Sequence, residues 1–307
     1  MGASPRFSPS SAEQARRELL EQVRRDPSTY GLERSRWTLA LIRDKSSLLP
    51  DHLSVSAVHR NLAALGICWK RGRSYVHSPD ALYDAKCRSI AEIRQEVKAD
   101  TSSLALLYLD EVTFERQPSL SNDYESRGAT SQPLGRRSIG SNVTTRYVAS
   151  MDALTGRVIS RRASHITLAT LVNHYLDVSK VYSSIETIYI VQDNWPVHTH
   201  PDVLCALQPQ IFAEHFRRPA SWSTQPSAAA KRKWSHLNLP IQIVPLPTYA
   251  SWLNPIEKLW RWMRQELGHL HRWADDLARY RHNLDQWLAR FLDGSTELLR
   301  YVGLSGQ

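Results

Sequence analysis

Cysteine is scarce in this chain, with three among 307 residues: Cys68, Cys87 and Cys205. No Cys-x-x-Cys spacing occurs, which excludes a zinc site built on cysteine pairs and a disulfide framework. The odd, scattered set fits a reducing cytosol. Long apolar runs are also missing. The longest, Leu104 to Leu109, is far too short to cross a bilayer. The first residues, Met-Gly-Ala-Ser-Pro-Arg, lack the apolar centre of a signal peptide. No membrane association is expected, and the cytoplasm is the expected compartment. There is no internal repeat. Acids are outnumbered, 30 against 39 Lys+Arg, for a formal charge of +9. Of the 39 cations 31 are Arg, whose planar fork suits bidentate phosphate contacts, so a polyanionic partner is expected. Apolar residues at 42% and ten Trp exclude a disordered chain, and the length predicts about two domains.

The first 77 residues are patterned as helices. Ser11 to Arg25 presents Leu19, Leu20 and Val23 inward and stops at Asp26-Pro27. A second helix is expected over Ser35 to Arg43, buried through Trp37, Ala40 and Leu41. A third is marked at both ends, with Ser54 as N-cap and Gly66 just past its last turn. Val55, Val58, Leu62 and Leu65 share one face, leaving Ser56, His59, Arg60 and Ala63 on another. A short helix, a turn and a capped helix with a small polar face predict a helix-turn-helix, winged-helix-like domain reading duplex DNA. Ser56, His59 and Arg60 would face the DNA, with Lys70, Arg71 and Arg73 on a basic wing. Residues 78–101 read as a polar helical connector.

From residue 102 the pattern turns to α/β. Leu104–Leu109 and Glu186–Val191 are continuous apolar runs of the kind buried on both faces of a sheet. Thr144–Met151 and Arg157–Arg162 read as a hairpin around a turn, Leu168–Val178 as a helix, and Ile241–Val244 as a further strand. A long helix starts near Pro255. This order predicts a mixed sheet covered by helices over residues 102–307.

Asp110 and Asp193 each follow one of the two buried strands, where ligand-bearing carboxylates of α/β sheets lie. A third acid, Glu257, follows the stiff stretch Pro247–Trp252. Asn254, Pro255 and Glu257 also fit an N-cap, N1, N3 capping box, and spacing does not separate capping from metal binding. Three convergent carboxylates would suit hard divalent cations, Mg²⁺ or Mn²⁺. Two such ions serve phosphodiester cleavage by activating the attacking oxygen and stabilising the leaving one.

Tyr108-Leu109-Asp110-Glu111, Val191-Gln192-Asp193-Asn194-Trp195-Pro196-Val197-His198 and Leu246 to Trp260, with its Pro-x-Tyr-x-x-x-Leu-Asn-Pro-Ile-Glu core, resemble three ordered blocks. They are the catalytic blocks of mariner-related bacterial transposases of the insertion-sequence-630 family. The resemblance implies a ribonuclease-H-like fold and a DDE triad of Asp110, Asp193 and Glu257 holding the metals. Asn194 and His198 would support the second block and Asn254 the third, while Glu111 is expected to point outward. It further implies binding of terminal inverted repeats and target DNA, cleavage and strand transfer, a homodimer on DNA, and a place on the bacterial nucleoid.

Two features depart from the family pattern. Asp193 and Glu257 stand 64 positions apart, wider than usual, with a basic insert near 201–238. Its Arg217, Arg218, Lys231, Arg232 and Lys233, with Trp234, suit a DNA-contacting loop. Only one of the two expected upstream helix-turn-helix units is legible. A decayed or truncated transposase acting as a repressor, or a nuclease of RNA–DNA hybrids on the same fold, are the competing readings.

Overall fold

The structure, a computed structural model, describes residues 7–70, 77–128 and 131–305. Arg71 and Arg73 therefore lie outside the described residues. The chain forms two compact units, Met1–Tyr75 and Val76–Gln307.

The first unit holds helices α1 (Pro9–Arg24), α2 (Leu39–Lys45) and α3 (Val55–Ala64). Ala15, Leu19, Trp37, Ile42, Leu49, Val58, Leu62 and Leu65 form its core. The second helix starts four residues later than the sequence pattern predicts. Trp37 lies ahead of it, buried, with its indole N–H donating to the Arg25 carbonyl, and Thr38 supplies the cap. Ser54 caps α3 by accepting the Ala57 N–H. Gly66 closes the helix at φ 70°, with Ile67 N–H returning to the Leu62 carbonyl, a Schellman arrangement. Val58, Leu62 and Leu65 are buried, whereas Val55, expected on the same stripe, is exposed in the first turn.

The second unit is built on one five-stranded sheet in the order β3-β2-β1-β4-β5. These strands are β1 (Leu104–Glu115), β2 (Thr144–Asp152), β3 (Val158–Ala163), β4 (Thr187–Gln192) and β5 (Ile241–Pro245). The first three form an antiparallel meander, and β4 and β5 run parallel to β1. Helices α4 (Tyr83–Ala99), α8 (Ile256–Met263), α9 (Leu277–Ala289) and α10 (Thr296–Val302) cover one face. Helices α5 (Leu168–Val181), α6 (Pro201–Leu204) and α7 (Ala228–Trp234) cover the other. The chain is thus a mixed α/β sheet flanked by helices.

Several elements differ from their sequence pattern. The segment read as a connector begins its helix at Tyr83 and is built into the second unit, with Ile93 and Val97 in the sheet core. The first strand continues six residues past Leu109, so Asp110 lies within it and not after it, paired with Ala149 of β2. Asp and Glu are poor strand formers, and only the β2 partner carries the strand through them. The helix from Pro255 is short. It passes into a π turn at Arg264–Gly268, and Leu270 lies beyond it at φ 46°. Within the basic insert Trp234 is buried with Ala230, so it anchors α7 and offers no ring for stacking on DNA. Arg217, Arg218, Lys231, Arg232 and Lys233 are exposed.

Candidate active site

The parallel register of β1 and β4 places Tyr108 opposite Val191. Continued by two residues, it sets Asp193 beside Asp110. Asp110 is half-buried on β1, and Asp193 is exposed at the first position after β4. Glu257 sits in the first turn of α8, whose Ile256, Leu259, Trp260 and Met263 pack on the same face of the sheet. The capping box that competed for Glu257 is not formed. No side chain caps α8, and the Asn254 amide instead donates to the carbonyl of Leu109 at 2.9 Å. Buried Asn254 thereby ties the start of α8 to the strand carrying Asp110 and leaves Glu257 free to face the two aspartates.

The three carboxylates sense one another. Burial, then the charges of Glu257, Glu111 and Asp193, push Asp110 up to about 8. Burial raises Glu257 as well, with Asp193 adding to it and Arg264 and Arg261 opposing. Asp193 goes the other way. Burial would raise it, but the hydrogen bond and charge of His198 and the Trp195 N–H bring it below the usual carboxylate range. Trp260 is buried under the site and donates its indole N–H to Asp110 Oδ2 at 3.0 Å.

His198 is fully buried between two acids. Its Nε2 lies 2.9 Å from Glu111 Oε1 and its Nδ1 3.1 Å from Asp193 Oδ1. Burial disfavours the charged ring, yet the Glu111 and Asp193 carboxylates outweigh it and raise His198 to about 10. An imidazolium is therefore fixed behind the second acid. Glu111 does not point outward into solvent as its sequence position suggested. Alternation puts it on the face of β1 opposite Asp110, where His198 meets it. Asn194 donates to the Leu246 carbonyl, which joins the loop after β4 to the loop after β5.

A buried ion pair holds that second loop from below. Lys86 Nζ lies 2.9 Å from Asp80 Oδ2, both essentially inaccessible to solvent. Asp80 also accepts the Thr248 N–H and hydroxyl, and Lys86 reaches the Leu246 carbonyl. Neither residue belongs to a block legible in the sequence. Arg217 of the insert stands 3.7 Å from Asp80.

Three carboxylates of hard oxygen donors, one of them held up by its neighbours' charge, have the chemistry that divalent cations take. Among the described residues, no three His, Cys, Asp or Glu side chains are grouped as a ready-made metal cluster. The fit lies in the donor set and in the burial and mutual repulsion that raise Asp110.

Residues 105–278, which span all three acids, match the family described as DDE superfamily endonuclease. The chain belongs to this family. An uncharacterized 39 kDa protein of insertion element IS630 from Shigella sonnei is 22% identical over 255 residues, covering 83% of this chain and 64% of that protein. The chain thus spans 64% of the length of that curated relative. Among solved structures, the Mos1 transposase paired-end complex with left transposon end matches at TM-score 0.58 and 17% identity, over 99% of this chain and 77% of that one. The Mos1 mariner paired-end complex with Mg matches at 0.56 and 15%, over 99% and 79%. At these identities the likeness shows that the DDE endonuclease chain shares the Mos1 fold.

Sequence reasoning missed Glu111, Trp260 and the Asp80–Lys86 pair as neighbours of this site. A signal existed for Glu111, since a carboxylate continuing a buried strand needs a partner. For Asp80 and Lys86 there was none, because both sit in a polar stretch without period.

Proposed function

We propose that this DDE endonuclease is a transposase, using Asp110, Asp193 and Glu257 to cleave DNA at element ends and transfer the freed strand. What supports the reading is that the three block acids, on β1, just after β4 and in the first turn of α8, fall inside the matched DDE region, with the charges of Glu257 and Asp193 felt at Asp110. We read the sheet as ribonuclease-H-like and the α2–α3 pair as a helix-turn-helix. Ser56, His59 and Arg60 are exposed on α3, and Lys70 is exposed beyond it, which supports that reading.

Asp110, Asp193 and Glu257 would hold two Mg²⁺ or Mn²⁺ ions, and solved Mos1 complexes contain Mn and Mg. When bound, such ions supply Lewis acidity at both the attacking and the leaving oxygen of a phosphodiester. The chain's own residues set the stage. Trp260 orients Asp110 through its N–H. The Glu111–His198 pair keeps Asp193 ionised and aimed. Asn254 and Asn194 fix the two segments that carry Glu257 and Asp193. Arg217, Arg218, Lys231, Arg232 and Lys233 line an exposed basic insert suited to backbone phosphates. The partners are terminal inverted repeats and target DNA, engaged by a homodimer in the cytoplasm on the nucleoid.

The test is Mg²⁺-dependent nicking of a duplex taken from the DNA flanking the gene, where inverted repeats bordered by duplicated TA are expected. Asp110→Asn, Asp193→Asn and Glu257→Gln should each abolish nicking and leave duplex binding intact. Normal cleavage by the Asp193→Asn protein sinks the triad.

A further inference from the structure

Three large rings stand in solvent around the acids. Tyr249 is 75% exposed, Trp252 49% and Trp195 38%. Exposed rings of this size, gathered at one place, mark a binding surface. They are also held in place. Trp195 N–H donates to Asp193, and its ring meets His198 edge-on at 5.3 Å. Tyr249 has φ 57°, a conformation that non-glycine residues rarely adopt and that persists where surroundings over-determine it. Those surroundings are visible. Leu246 N–H is bonded to Gln192 and its carbonyl to Lys86 and Asn194, while Thr248 is bonded twice to Asp80. The loop is braced one residue before Tyr249, and the brace displays the ring instead of letting it collapse onto the core.

The rings border two adjoining grooves. Asp193, Asn194 and Trp195 face the 246–252 loop across one. The other runs from Trp252 past Glu257 to Arg261 and Arg264. Flat apolar faces, a carboxylate pair and two exposed cations thus alternate over a short path. A polynucleotide strand has this alternation of base and phosphate. Base pairs within a duplex keep their faces stacked on each other, so only an unpaired base can offer one to a side chain.

We infer that Tyr249 and Trp252 form a stacking site for one unpaired nucleobase of the strand lying on the acids, with a neighbouring phosphate on Arg261 or Arg264. The inference rests on the DNA-cleaving reading above and adds the state of the strand: locally opened beside the scissile phosphate. Stacking would hold that phosphate's sugar and fix its approach to Asp193.

The experiment uses the full chain, calcium chloride, and two probes. One is a duplex with a single unpaired 2-aminopurine, and the other is the same duplex fully paired. The unpaired probe should bind about 5–150-fold more tightly, the range one stacked base gives, with its fluorescence quenched on binding. Tyr249→Ala and Trp252→Ala should each bring the ratio of affinities toward one. Tyr249→Phe and Trp252→Phe should keep it. Circular dichroism identifies any variant that has lost its fold, and Tyr249, the most exposed of these three rings, decides if Trp252→Ala has. Equal binding of both probes by the unmutated chain, or an unchanged ratio in the folded Tyr249→Ala protein, overturns the stacking site and leaves the endonuclease reading standing. Failure to bind either duplex overturns the DNA reading itself.

Discussion

At the scale of single residues, Asp110 and His198 titrate in opposite senses. Asp110 has its folded pKa raised to about 8, so the stability it contributes is complete at low pH and is lost as pH rises from about 4 toward 8. Metal-free protein should therefore melt at progressively lower temperature across that window, and Asp110→Asn should flatten the slope. Cation binding must displace this proton. Mn²⁺ should accordingly raise the melting temperature more at pH 8 than at pH 6, as thermal melts at matched free metal would show. An equal gain at both values contradicts the assignment. His198 has its folded pKa raised to about 10. Its contribution is complete below about 6.5 and is lost progressively as pH rises from there toward 10. His198→Gln should cost stability throughout the neutral range.

At the scale of elements, the Asp80–Lys86 pair joins the start of α4 to the loop between β5 and α8. Lys86→Met alone leaves Asp80 buried without its cation and should cost about 3–5 kcal/mol in urea unfolding. Asp80→Asn combined with Lys86→Met removes both charges and should recover most of that loss. If the double variant is as unstable as the single one, packing and not charge pairing holds the loop. In the first unit, Ser54→Ala removes the α3 cap and should cost about 1 kcal/mol, read from the melting of that unit. The strands and most helices follow from residue period, which is why their existence was legible. Their ends were not. β1 outruns its apolar run because β2 pairs with it through Glu115, and α8 stops short because a π turn intervenes.

At the scale of the whole molecule, a charge of +9 acts through long-range attraction to phosphate. With about 6–10 phosphate contacts, duplex affinity should fall roughly 10³–10⁵-fold between about 50 and 200 mM salt. Arg60→Ala in α3 and combined Lys231→Ala, Arg232→Ala, Lys233→Ala in α7 should each shallow that dependence. A salt response unchanged in both variants would place the DNA path elsewhere on the surface. Sedimentation with and without a duplex tests whether two chains meet on DNA.

What the sequence determined by itself is the five strands, most of the earlier helices and the family blocks that nominate the three acids, because period, caps and motif spacing are written within a few residues of one another. The tertiary structure decided how those acids are held. Glu111 meets His198 across 87 residues, Asp80 meets Thr248 across 168, and Trp260 meets Asp110 across 150. Such pairings depend on which strands lie side by side and which loops close over them, and no local pattern encodes that geometry. The same holds for Trp234, which its basic neighbours made resemble a DNA-facing ring and which the sheet buried.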